Sequence, residues 1–254
     1  TAGVIHGSES FEPTVRTPGV VSNHTLLFTP AGRIQIGASF VLVLNATEDW
    51  QMPSAPTVQF QGAAGPSSAT GAWQYATRTL TVQVGAADIE SETAVELEIA
   101  AVRTPMDVQP ENRMTLTTRS PAGDVMDTTS EVFSVATTAG SLSGTTSFVP
   151  SVCTPGVVSA HTLNYTATGR VQVNGSIVMQ LYADDWEMPE APLVTIVGMP
   201  EAPQVPSSWV SATRTLTLTT VVEAESGTQW AFDVAGVRTP SDVQGASLLS
   251  LTTR

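Results

Sequence analysis

Asparagine carries the strongest chemical signal in the sequence. It occurs five times, and four of the five, in Asn23-His-Thr, Asn45-Ala-Thr, Asn164-Tyr-Thr and Asn174-Gly-Ser, stand two residues before Ser or Thr with no Pro between. That spacing is the acceptor for N-linked glycosylation, which needs an exposed side-chain amide on a secreted chain. Ser and Thr make up roughly a quarter of the residues, so composition alone accounts for about one such match in five. Strand phase adds to the argument. In Leu163-Asn-Tyr165 and Val171-Gln-Val-Asn174 the apolar residues take one face, which puts Asn164 and Asn174 on the opposite, watered face. All four are expected glycosylation sites, the competing explanation being that they are ordinary turn asparagines.

Catalytic chemistry is poorly provided for. The three histidines are His6, His24 and His161, and no Gly-x-Ser-x-Gly elbow, His-Glu-x-x-His helix or Gly-rich phosphate loop accompanies them. The expectation is a protein with no catalytic residues and no cofactor. Carboxylates gather at Glu48 and Asp49, and again at Asp184, Asp185, Glu187 and Glu190. Calcium takes six or more oxygens, usually from alternating loop positions around a Gly, and neither cluster has that form, so both read as solvated acidic turns with no metal. Asp107 and Asp242 are expected to cap a turn or to pair with Arg103 and Arg238. The single cysteine, Cys153, excludes an internal disulfide framework and leaves an inert or interchain thiol.

Composition narrows the partners. The 254 residues carry a net charge of -13, and a surface of that sign repels nucleic acid and anionic membranes. No run of 18 apolar residues is present, so no membrane span is expected, and the first ten residues lack the basic start and apolar core of a signal peptide.

The elements that must hold these residues come in two copies. Thr17-Pro-Gly-Val-Val-Ser22 returns as Thr154-Pro-Gly-Val-Val-Ser159, Ala76-Thr-Arg-Thr-Leu-Thr81 as Ala212-Thr-Arg-Thr-Leu-Thr217, and Val102-Arg-Thr-Pro as Val237-Arg-Thr-Pro. Leu116-Thr-Thr-Arg119 returns as Leu251-Thr-Thr-Arg254. Self-similarity at a fixed period of about 137 residues predicts two domains of one fold, 1–137 and 138–254, the first including a linking strand within 120–137. No counterpart of that strand follows Arg254, and no initiator Met precedes Thr1, so the chain is expected to be a two-repeat window on a longer tandem array.

Within each copy apolar residues alternate, as in Thr79-Leu-Thr-Val-Gln-Val84 and Thr215-Leu-Thr-Leu-Thr219, which is the period of a half-buried strand. Further strands are expected at 24–29, 34–44, 57–61, 94–102, 114–118 and 131–136, separated by Pro, Gly and Ser. Seven or more short strands without an amphipathic helix predict an all-β chain of two tandem immunoglobulin-like antiparallel β-sandwiches. Trp50 and Trp186 share the frame Asp-Trp-x-Met-Pro, while Trp73 and Trp209 precede the Thr-Leu-Thr strands, and both pairs are expected in the core.

The order Thr-Pro-Gly-Val-Val, a strand, Pro-Ala-Gly-Arg-Ile-Gln-Ile, then Asp-Trp-x-Met-Pro and Val-Arg-Thr-Pro, resembles tandem immunoglobulin-like β-sandwich repeats in very long extracellular proteins of algae and other protists. Where those repeats carry a small residue before Thr-Pro-Gly, this chain has Arg16 and Cys153. The resemblance implies a structural segment of a glycosylated extracellular fibre, appendage or cell-surface protein. Its partners are then neighbouring repeats or identical subunits in a filament, with N-linked glycans and no catalysis. The alternative is an adhesin whose sandwiches bind carbohydrate through exposed aromatics, with or without calcium.

Overall fold

A computed structural model describes residues 2–45, 49–62, 69–183, 185–199, 201, 204–243, 245 and 248–253. The chain is all-β, its helical content among the described residues being one 3-10 turn at Tyr75–Thr77. It divides into two compact units, Thr1–Ala139 and Gly140–Arg254.

Unit 1 holds β1 (Gly3–Val4), β2 (His6–Pro13), β3 (Val21–Thr29), β4 (Ser39–Val43), β5 (Val58–Phe60), β6 (Ala69–Gln74), β7 (Thr79–Val84), β8 (Val95–Arg103), β9 (Asn112–Arg119) and β10 (Val125–Ser134). The strands follow one another in the order β5-β8-β3-β2-β10-β9-β4-β7-β6, with β1 also on β10. Two layers, β5-β8-β3-β2 and β10-β9-β4-β7-β6, are joined along the seam where β10 runs parallel to β2, pairing Phe133 with Ser10 and Ser134 with Phe11. Alternation drives the packing. In β7, Leu80, Val82 and Val84 are buried while the intervening residues face outward, and Leu26, Phe28, Phe40, Leu42, Leu97, Ile99 and Leu116 fill the space between the layers.

Unit 2 holds β11 (Ser143–Pro150), β12 (Val158–Thr166), β13 (Ser176–Leu181), β14 (Val194–Ile196), β15 (Ser207–Val210), β16 (Thr215–Thr219), β17 (Gln229–Arg238) and β18 (Leu249–Thr253). Its sheets, β11-β12-β17-β14 and β15-β16-β13-β18, reproduce the order β2-β3-β8-β5 and β6-β7-β4-β9. Even the irregularities recur. His24 faces Ile99 after a bulge at Ala100 and Ala101, and His161 faces Val234 after a bulge at Ala235 and Gly236. The bulge needs a left-handed residue, which Ala101 supplies at φ 57° and Gly236 at φ 74° without the clash of a Cβ.

Several strand expectations need correction. The segment 34–44 is not one strand: Ile34 forms an isolated bridge with Ile89, Gly37 turns at φ 84°, and β4 starts only at Ser39. A left-handed residue donating its N–H to Val84 breaks the alternation that the apolar pattern implied. The last strand of unit 1 begins at Val125 rather than 131, right after the turn in which Gly123 at φ 92° donates to the Ser120 carbonyl. Two strands carry too little apolar signal to be read. β2 is mostly polar, with Phe11 and Pro13 as its buried residues, and β6 contains Gly71, where a Cβ would lie 2.7 Å from the Pro56 carbonyl oxygen. Trp73 lies ahead of β7, as expected, and is itself part of β6.

Candidate functional site: the sequon asparagines and their surroundings

The four sequons sit in four different environments. Asn174 is exposed and adopts φ 68°, with its N–H donating to the Thr220 carbonyl at 2.8 Å. It takes the turn position that Gly37 holds in unit 1, since Asn tolerates left-handed backbone better than other side-chain-bearing residues. The expectation of a strand there is corrected: Val173 points out, 49% exposed, and Asn174 reaches solvent because the chain turns. Asn23 is exposed on β3 and donates from Nδ2 to Glu98 Oε1 at 3.0 Å, and Thr25 lies on the same face. Asn164 stands opposite the inward Leu163 and Tyr165, as alternation requires, but it is half-buried and donates to Ser147 Oγ at 3.3 Å. Full exposure at Asn164 is therefore corrected, because β11 runs alongside. Asn45 is half-buried just after β4, and Ala46 and Thr47 of its sequon lie outside the described residues.

The acidic turns form ordinary polar contacts. Asp49 accepts from Gln51 Nε2 at 3.0 Å and from the Tyr75 hydroxyl at 2.8 Å, and this hydrogen bond to a carboxylate raises the Tyr75 pKa. Glu48 and Asp184 lie outside the described residues. Among the described residues no group of three His, Cys, Asp or Glu side chains is placed to hold a metal ion. Arg238 pairs with Glu187 at 3.0 Å and donates from Nε to the Gly156 carbonyl at 3.2 Å, so of the two roles expected of Asp242, capping a turn or pairing with Arg238, the pairing is corrected. Unit 1 has Gln51 at the Glu187 position, so the sequence frame is shared but the ion pair is not.

The two equivalent histidines belong to the core. His24 is fully buried, its ring 5.0 Å from Phe11 and 5.6 Å from Trp50, and burial lowers its pKa to about 4 against the opposing pull of the Ser22 carbonyl. His161 sits likewise between Phe148 and Trp186, at 5.0 and 5.5 Å, with its pKa lowered by burial. A neutral imidazole whose Nε2 finds no hydrogen-bond partner among the described residues, as in His24, packs like an aromatic ring rather than serving as a base. His6 is on the surface, 3.0 Å from Glu92.

Trp50, Trp73, Trp209 and Trp230 are buried. Trp186 departs from its expected equivalence with Trp50, being half-buried where Trp50 is 1% exposed. Cys153 is exposed and free in the loop between β11 and β12.

One residue escaped the sequence reading altogether. Asp127 of β10 is 2% exposed, accepts at Oδ2 from Gly32 N–H at 3.2 Å and from Thr118 Oγ1 at 3.3 Å, and returns its own N–H to Thr118 Oγ1 at 3.0 Å. The available signal was indirect: Gly3, Gly32 and Thr118 recur as Gly140, Gly169 and Thr253.

No protein-family model matches the chain, and no curated protein matches it. Among solved structures, the serine-rich repeat adhesion glycoprotein of Streptococcus agalactiae is 12% identical over 97% of this chain and 90% of that one, with a TM-score of 0.29. The collagen adhesin of S. aureus is 11% identical over 100% and 85%, with a TM-score of 0.26. The type II cohesin dyad of the ScaA scaffoldin of Acetivibrio cellulolyticus is 10% identical over 95% and 87%, with a TM-score of 0.25. None of the three comes from an alga or another protist, and likeness at these TM-scores carries no argument about what the chain does.

Proposed function

We propose that the chain is a structural segment of a glycosylated extracellular or cell-surface fibre or appendage, built of two β-sandwich repeats, 1–137 and 138–254, and carrying out no catalysis. The observation that supports it most is the disposition of the aromatic residues and asparagines. Four of the five tryptophans are core residues, while Asn23 and Asn174 are exposed within complete sequons. A sugar-binding module needs the reverse, an aromatic shelf in a concave site with convergent polar groups. Neighbouring repeats or identical subunits are the partners of such a segment. Intact mass of the native protein before and after enzymatic removal of N-glycans, with electron microscopy of the untreated material, tests the reading. A mass loss and filaments support it; an unchanged mass with dispersed monomers refutes it.

A carbohydrate-binding adhesin is the second reading, favoured by one feature. Tyr75 is 53% exposed, with its hydroxyl held by Asp49 and Arg78 lying 5.7 Å from its ring. An aromatic face beside a carboxylate suits a pyranose, and a glycan array probed with the wild type and Tyr75→Ala decides between the two.

A further inference from the structure

Taking the chain as a fibre segment, we infer that the outer face of the unit 2 sheet β11-β12-β17-β14 is the surface by which two identical subunits associate. The same face differs between the two copies of the fold. In unit 1 the strands β2, β3, β8 and β5 hold four carboxylates, Glu9, Glu12, Glu96 and Glu98. In unit 2 the equivalent strands hold one, Asp233, to which Thr162 Oγ1 donates at 2.7 Å.

The registers show what stands in place of the charges. Glu12 pairs with Thr25 and Val149 with Thr162, so Val149 takes the position of Glu12. Gln61 N–H donates to the Glu96 carbonyl and Val197 N–H to that of Ala231, which sets Val197 against Gln61 and Ala231 against Glu96. By the matching bonds from Ala100 to Thr57 and from Ala235 to Leu193, Leu193 replaces Thr57. Val149, Leu193 and Val197 are each about half exposed. The fold does not need them, since unit 1 keeps this face polar, and an exposed apolar row without a structural reason marks an interaction site.

The partner follows from charge and shape. A two-fold pair brings the same patch of both molecules together, so a face meets its own charge. On a chain of net charge -13 the unit 1 face repels its own copy, whereas the unit 2 face has a single carboxylate that is already hydrogen-bonded. Self-pairing also calls for a recess beside a projection. A groove of about 470 Å³, with Val158, Met188, Pro189, Gly236 and Arg238 in its lining, supplies the recess. Gly236 follows Ala235, whose N–H bonds the Leu193 carbonyl, so the projecting Leu193 and the groove are neighbours. Unit 1 has Ala101 in place of Gly236, and a Cβ on Gly236 would come 3.3 Å from Pro189 Cγ and narrow the groove. Asn164 pairs with Ala231 within this face, so a glycan on Asn164 blocks the contact.

The whole 254-residue chain is therefore tested without glycans, and under reducing conditions so that Cys153 cannot link molecules. Sedimentation equilibrium is expected to show monomer and dimer exchanging between about 10 μM and about 1 mM, a weak pairing because the face is small. NMR signals that move with concentration should map to β14 and β17. The double variant Val197→Gln/Ala231→Glu carries polar residues of the kind that unit 1 holds on the same strands, so it folds, and it should weaken association at least tenfold. Val210→Gln, 51% exposed on β15 of the opposite sheet, should leave association unchanged. A chain that stays monomeric, a dimer that the double variant leaves intact, or shifts confined to β15 and β18 overturns the inference. Unchanged association in Gly236→Ala overturns the part given to the groove. Microscopy of the native material reads the fibre separately: filaments without this dimer refute the face alone, and the dimer without filaments refutes the fibre alone.

Discussion

His24 and Trp50 meet nearly edge to face, at 83° with ring centroids 5.6 Å apart, and His161 and Trp186 repeat the arrangement at 80° and 5.5 Å. Phe11 and Phe148 complete the two clusters. The rings share a geometry and differ in their access to water, and both facts have measurable consequences.

Mild acid should weaken unit 1 through His24. The unfolded chain binds a proton at His24 near pH 6.5, whereas the folded one waits until about pH 4 because burial disfavours the imidazolium. The unfolded state thus holds more protons within that window, so the stabilisation is complete above pH 6.5 and declines as pH falls towards 4. Between pH 7 and 5 the loss comes to about 2 kcal/mol. Urea titrations at the two pH values measure it, and His24→Leu should remove that part of the slope. His161, lowered in the same direction, adds to the effect in unit 2.

Truncating the paired indoles should separate the units. Trp50→Ala opens a cavity among Phe11, His24 and the seam to β10, for a cost of about 3–5 kcal/mol. Trp186→Ala should cost clearly less, because its ring is already half in water. Thermal unfolding of the two variants, followed by circular dichroism, gives the comparison, and equal losses would refute the difference in burial.

Much of this was legible from alternation and repetition. Thr79-Leu-Thr-Val-Gln-Val84 reads as a strand and is β7, and the repeated Asp-Trp frame marks a core position in unit 1. Three kinds of information were not local. The turn at Gly37 and Asn174 is set by hydrogen bonds to Val84 and Thr220, more than forty residues away in sequence. β2 is nearly all polar and is held as a strand by β3 and β10. Asp127 looks like any acidic residue among threonines until Gly3, Gly32 and Thr118 are brought round it. Of the sequons, strand phase found the outward face of Asn164 but could not register the neighbouring Ser147.

Glycan occupancy should follow exposure rather than strand phase. Asn174, in an open turn, and Asn23, on an exposed face, are expected to be modified most completely, and Asn164 least, since Ser147 engages its amide nitrogen. Peptide mapping of the native protein gives the occupancies. Asn174→Gln should remove one glycan and also destabilise unit 2 by about 1 kcal/mol, because Gln is less tolerant of φ 68°. Asn174→Gly, which copies unit 1, should remove the glycan without that loss.

A single methyl group at Gly3 should disturb the cluster round Asp127. In unit 1, Gly3→Ala drives a methyl group into Asp127 Oδ1, so β1 must leave β10 or the carboxylate must abandon Gly32 and Thr118. Either response leaves buried polar groups unpaired, at a cost of about 1–3 kcal/mol. Denaturation of Gly3→Ala beside Asp127→Ala reads the effect, and a Gly3→Ala protein as stable as the wild type would mean that β1 does not close over the Asp127 carboxylate.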